Sequence, residues 1–172
     1  MSLPKLTALD PETLEMDKIE LAVRLNDTVG IKKDSAQLFI KIENEKTNKA
    51  LDHRLVLNAR ETELTRFLKK KEKSGYTVHR FKLTPEQAKA TEDFRKNALE
   101  MRETSGKDLK SKLTAGVAFC QFKDGPSLDK FSMTFYVRTN PKKDFYTLFK
   151  EQNIQYSAET KAKIEDAPVY CD

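Results

Sequence analysis

The sequence predicts a mainly β protein: an antiparallel β-sandwich of immunoglobulin-like kind carrying one inserted surface helix near residues 85–104. Three observations predict it. Stretches of strict apolar/polar alternation recur along the chain, the mark of half-buried strands. The links between them carry turn formers, which favours antiparallel pairing. One segment alone combines helical spacing with capping signals, whereas a parallel sheet needs a helix after each strand. An open antiparallel α+β sheet with the helix on one face is the alternative. Residues 1–15 read as an N-terminal arm and 16–172 as a single β-rich domain, because a chain of 172 residues buries roughly two-thirds or more of its unfolded surface in one core.

Residues 18–26 place Ile19, Leu21, Val23 and Leu25 inward and Lys18, Glu20, Arg24 and Asn26 outward, the period of a strand. Residues 37–43 repeat this with Leu38, Ile40 and Ile42, and a polar stretch over 44–49 leads to Leu51, His53, Leu55 and Leu57. These two form a hairpin with a longer loop. The charged segment 61–73 is a short helix or a mobile loop. Over 76–83, Tyr76 and Val78 fall out of phase with Phe81 and Leu83, which predicts a bulge near His79 or Arg80.

Thr84-Pro85-Glu86-Gln87 supplies an N-cap, a proline at the first helical position and a capping-box glutamine, with Leu83 and Ala88 as hydrophobic staple. Ala90, Phe94, Ala98 and Met101 then form a narrow stripe, and Gly106 is the stop, so the helix lies on the surface of the sheets. Residues 113–122 and 130–138 flank the turn Asp124-Gly125-Pro126-Ser127. In the second of these strands Phe131, Met133, Phe135 and Val137 alternate with Lys130, Ser132, Thr134 and Tyr136. Leu21, Val23, Phe131, Met133 and Phe135 are the expected core. Residues 144–150 are a strand or a short helix, and the pattern fades over 157–172.

The chemistry-bearing residues are few and dispersed: 2 His, 2 Cys, no Trp and 5 Gly. No glycine-rich phosphate loop, H-E-x-x-H, C-x-x-C or G-x-S-x-G can be written, so no catalytic, cofactor-binding or metal-binding residue is nominated and no cofactor is expected. His53 and His79 each lack ligand-type neighbours at zinc spacing and read as structural or surface histidines. Glu61 with Glu63, or Asp124 with Asp129, make acidic pairs, but neither is a nameable acid-base pair. No stretch of about 18 apolar residues spans a membrane. Met1-Ser2-Leu3-Pro4 leads into no apolar signal core; it is either a native start or a replacement for an export signal.

Cys120 lies in an apolar strand between Phe119 and Gln121, with no basic neighbour to activate a thiolate, and Cys171 is in the tail. They are either two free thiols in a reducing compartment or one disulfide in an oxidising one. The net charge of +5 is interleaved along the chain. Its densest cluster is Arg66, Lys69, Lys70, Lys71 and Lys73, either an anion contact for phosphates or acidic headgroups or a solvated loop. Only Phe67 accompanies it, whereas single-strand binders interleave several aromatics with basic residues.

Leu3-Pro4-Lys5-Leu6 followed by Ala8-Leu9-Asp10-Pro11-Glu12-Thr13 resembles the start of the mature part in a family of uncharacterised proteobacterial envelope lipoproteins. Ala118-Phe119-Cys120, the Asp124-Gly125-Pro126 turn and Tyr136-Val137-Arg138 are similar to later pieces of that family. The resemblance implies the periplasm, a lipidated N-terminus trimmed from this sequence, and no catalytic residues. The expected function is a non-catalytic interaction or structural module, with an envelope protein or the membrane surface as partner and the two cysteines bonded. The alternative is a cytosolic nucleic-acid-associated protein using the 66–73 cluster with Lys107, Lys110 and Lys112. An enzyme with a site assembled from dispersed residues is the other rival.

Overall fold

A computed structural model describes residues 15–105 and 109–172. A short 3-10 turn at Met16–Lys18 leads into β1 (Glu20–Asn26), β2 (Val29–Ile31), β3 (Gln37–Asn44), β4 (Ala50–Val56) and β5 (Ala59–Glu61). Then come α1 (Arg66–Lys69), β6 (Tyr76–Lys82), α2 (Pro85–Ser105), β7 (Leu109–Gly116) and β8 (Phe119–Gln121). β9 (Lys130–Arg138), β10 (Tyr146–Gln155) and α3 (Ala158–Asp166) complete the order.

The strands make three antiparallel sheets: β10-β9-β1-β6-β5, β4-β3-β7 and the ribbon β2-β8. Leu21, Val23 and Leu25 of β1 and Phe131, Phe135 and Val137 of β9 meet Leu38, Ile40 and Ile42 of β3 in one core. Two sheets facing each other across a shared apolar layer make the protein mainly β and sandwich-like, as the alternation predicts. Met133 is the exception among the expected core residues, being only half-buried.

β1 is central, with β6 on one side and β9 on the other, and both of its faces are covered. Ala22 packs with Leu68, Tyr136 and Phe145 in a second cluster on the outer face of the five-stranded sheet. The short helix α1, capped by Thr65 whose hydroxyl accepts from Leu68 N–H at 3.3 Å, puts Leu68 on that cluster. Ser132, Thr134 and Tyr136 are therefore buried, although the alternation alone put them outside.

Several elements differ from the sequence reading. β6 pairs with β1 in unbroken register from Tyr76 to Lys82, so the expected bulge near His79 or Arg80 is absent. The phase change has another cause: Val78 joins the outer cluster while Phe81 joins the main core, so both faces of β6 carry apolar side chains. The stretch 113–122 is two strands in different sheets, broken after Gly116, and β7 begins earlier, at Leu109. β10 is a strand, and Ser157 caps α3 by accepting from Thr160 N–H at 3.2 Å where no element was expected.

α2 starts where the capping signals put it, with Gln87 N–H donating to the Thr84 hydroxyl at 3.4 Å. Its buried stripe is Thr91, Phe94 and Ala98, with Ala90 exposed. The reason is polar: Thr91 faces His53 of β4, their Oγ1 and Nε2 3.3 Å apart, while Phe94 stacks on the same imidazole at 4.8 Å. α2 packs against β4 and the Met16–Lys18 turn. Gly106 and the residues 1–14 lie outside the described residues.

Candidate functional site

Cys120 and Cys171 are joined by a disulfide, with Cα atoms 5.0 Å apart. The backbone builds this pairing. Gln121 N–H donates to Val169 C=O at 2.8 Å and Cys171 N–H donates to Gln121 C=O at 2.9 Å, so the tail lies parallel along β8. The bond lies against β2, where a methyl group added at Gly30 would overlap Cys171 Sγ and come within 2.9 Å of Cys120 Sγ. Only a glycine lets the ribbon approach this closely.

Beside the disulfide a cleft of about 340 Å³ opens between β2, the turn after it, β5, β6 and the tail. Lys32 and Lys33 stand on the turn and Arg60 on β5, and among the described residues none of the three has a carboxylate partner. Phe81 and the exposed Phe122 supply aromatic walls, and the Arg60 guanidinium lies 5.4 Å over the Phe81 ring. Asp34 and Asp172 are the acidic residues of the lining.

His79 forms part of the wall, next to Phe81 with ring centroids 6.5 Å apart. Among the described residues its buried Nε2 has no hydrogen-bond partner. Burial, with the nearby Arg60 charge, holds its pKa down to about 4, so the ring is neutral at pH 7. Among the described residues no group of three or more His, Cys, Asp or Glu is arranged to hold a metal ion.

The basic cluster proposed from sequence is divided by the fold. Lys71 lies 5.0 Å over the Phe67 ring and its carbonyl accepts from Arg24 at 3.0 Å. Lys73 lies 4.6 Å over Tyr76 and 3.8 Å from the Glu151 carboxylate. Arg66, Lys69 and Lys70 remain exposed on and after α1, whose buried side closes the outer cluster. Lys110 pairs with Glu45, while Lys107 lies outside the described residues. Neither acidic pair forms a site: Glu61 binds Lys82 at 2.6 Å and Asp129 binds Lys161 at 3.2 Å.

A second polar centre, on the outer face of the five-stranded sheet, was not foreseen. The Glu20 carboxylate is buried at 3% exposure and accepts from Arg80 Nη2 at 2.7 Å and Nε at 3.2 Å, with Arg138 paired to its other oxygen. Both arginines lie over Phe145, at 5.9 and 5.1 Å. The one carboxylate is thus held between two guanidiniums, which leaves this buried cluster one positive charge in excess. No family model, curated protein or solved structure matches the chain.

Proposed function

We propose that the protein is a non-catalytic interaction module of a proteobacterial envelope, working in the oxidising periplasm and tethered by N-terminal lipidation as the resemblance to envelope lipoproteins implies. The observation that supports it is the Cys120–Cys171 bond, which uses both cysteines of the chain and is laid down by main-chain pairing of the tail on β8. Such bonds persist where the compartment is oxidising and are rare where thiol reductants act. The dispersal of polar side chains over a sandwich scaffold supports binding through surfaces and clefts over chemistry on a bound substrate.

Trapping thiols in intact cells of the native host tests the compartment. Alkylation before lysis, followed by mass spectrometry of the protein, is expected to find Cys120 and Cys171 unmodified and bonded. Two alkylated thiols overturn the periplasmic reading and shift the weight to the cytosolic one.

A further inference from the structure

We infer that the basic outer side of the five-stranded sheet, formed by α1 and the link 139–145 between β9 and β10, docks on a bilayer surface of anionic phospholipid. The inference rests on the reading of the protein as a tethered envelope module and names the surface that the tether holds it against.

The fold builds this side from two stretches far apart in sequence. α1 and the link flank one apolar cluster, to which the helix gives Leu68 and the link gives Phe145. With those two anchors turned inward, Arg66, Lys69 and Lys70 of one stretch and Lys142 and Lys143 of the other are left exposed. Among the described residues none of these five has a carboxylate partner.

The charge of this side does not cancel. Lys73, Lys82 and Lys18 are matched by Glu151, Glu61 and Glu15 and add nothing. The acidic residues left over in the same stretches are Glu63, Glu72 and Asp144, with Asp17 where the chain enters the fold. They face the five exposed cations and Lys71. Beneath the surface, Arg24 donates to the Lys71 carbonyl and the Thr134 hydroxyl and has no carboxylate, while Arg80 and Arg138 share the one carboxylate of Glu20. Partly buried charges are screened less than exposed ones, so this inner excess adds to the field outside.

The place of the tether favours a membrane over other polyanions. Asp17 and Lys18 share a cleft with Pro141 of the link, so residues 1–14 join the fold beside the basic side. Even fully extended, that length of chain reaches about 50 Å, and a lipid at its start keeps the cations near the headgroups. The contact is one of charge alone: Leu68 is fully enclosed and Phe67 packs edge-on against Tyr136, so no apolar wedge is offered to the acyl chains. Single-stranded nucleic acid needs open ring faces between the cations, whereas Phe67 and Tyr76 are already covered by Lys71 and Lys73.

The experiment uses the full oxidised chain and sedimenting vesicles of phosphatidylcholine, alone or with one third phosphatidylglycerol. At low salt and millimolar lipid the chain is expected to sediment with the anionic vesicles, to stay in solution with the neutral ones, and to be released at moderate salt. Lys69→Gln/Lys70→Gln and Lys142→Gln/Lys143→Gln should each weaken the partition about tenfold. Lys110→Gln/Lys112→Gln removes the same charge from β7 in the other sheet and should change it by less than about twofold.

Equal partition to both kinds of vesicle, or no sedimentation with either, overturns the membrane assignment. A loss in the β7 variant as large as in the other two overturns the choice of face. Tighter retention on a double-stranded oligonucleotide than on the anionic vesicles, lost in the same two variants, overturns the membrane in favour of a nucleic acid. All six lysines are exposed, and an unchanged circular dichroism spectrum and melting point verify that each variant has folded. The outcomes separate from those of thiol trapping: a bonded protein that ignores anionic vesicles loses only the docking surface, and a vesicle binder with free thiols in cells loses only the compartment.

Discussion

Single side chains carry most of what the alternation pattern could not express. Glu20 has the place of an outward residue on a half-buried strand, yet α1 and Phe145 cover that face, and two arginines hold the carboxylate there. His79 looked like an isolated strand histidine, and its importance depends on neighbours 19 residues upstream and at the tail, which no local window contains. Its titration is open to measurement. The folded pKa lies near 4, below the ordinary 6.5, because burial and Arg60 disfavour the cation. The unfolded chain therefore takes up this proton first as pH falls. The contribution to stability is complete above about pH 6.5 and is lost as pH drops towards 4, by roughly 3 kcal/mol in total. Carboxylates titrate in the same window, as does His53, also lowered by burial, so the reading is the difference between the wild type and His79→Phe. Urea unfolding from pH 7 to 4.5 should show a shallower fall for the variant, and parallel curves would refute the assignment.

At the scale of elements, α2 separates what was legible from what was not. Capping chemistry is local, so Thr84, Pro85 and Gln87 fixed the helix start from sequence alone. The buried stripe is a tertiary matter: Thr91 is fully buried because it faces a histidine on β4, and Ala90 is left exposed. Thr84→Ala should cost about 1 kcal/mol, while Ala90→Gln should be near neutral in denaturant unfolding. A larger loss at Ala90 than at Thr84 would restore the stripe expected from sequence. The same division holds in the strands. The long alternating runs of β1, β3 and β9 were readable, since each has one face against the main core. The three-residue strands β2, β5 and β8 were not, because so short a run has no measurable period and forms only against its partner. Two of those short strands, β2 and β5, line the cleft, and that is why Lys32, Lys33 and Arg60 escaped notice while the denser run at Lys69 to Lys71 drew it.

For the molecule as a whole, the disulfide is the chief long-range tie outside the sheets. It spans 51 residues, and closing a loop of that size stabilises the folded state by about 4 kcal/mol on the chain-entropy model. Cys171→Ser should lower unfolding stability by roughly that amount, and reductant should then have no further effect. A loss below about 1 kcal/mol would mean that the main-chain pairing of the tail on β8 holds without the bond. The sandwich class was readable from the chain, but the division of 113–122 between two sheets was not: Gly116, where β7 ends, is a lone glycine in an otherwise apolar run and was read through as part of one strand.

The central place of β1 has a consequence in time. Its two neighbours, β6 and β9, begin at Tyr76 and Lys130, so the first long strand waits for partners that emerge far later from the ribosome. Pairings this distant in sequence are slow to form. The staple comes later still, because Cys120 has nothing to bond with until Cys171 follows. A chain built in this order can form its β3–β4 hairpin early, but it cannot complete the five-stranded sheet until β9 and β10 have followed.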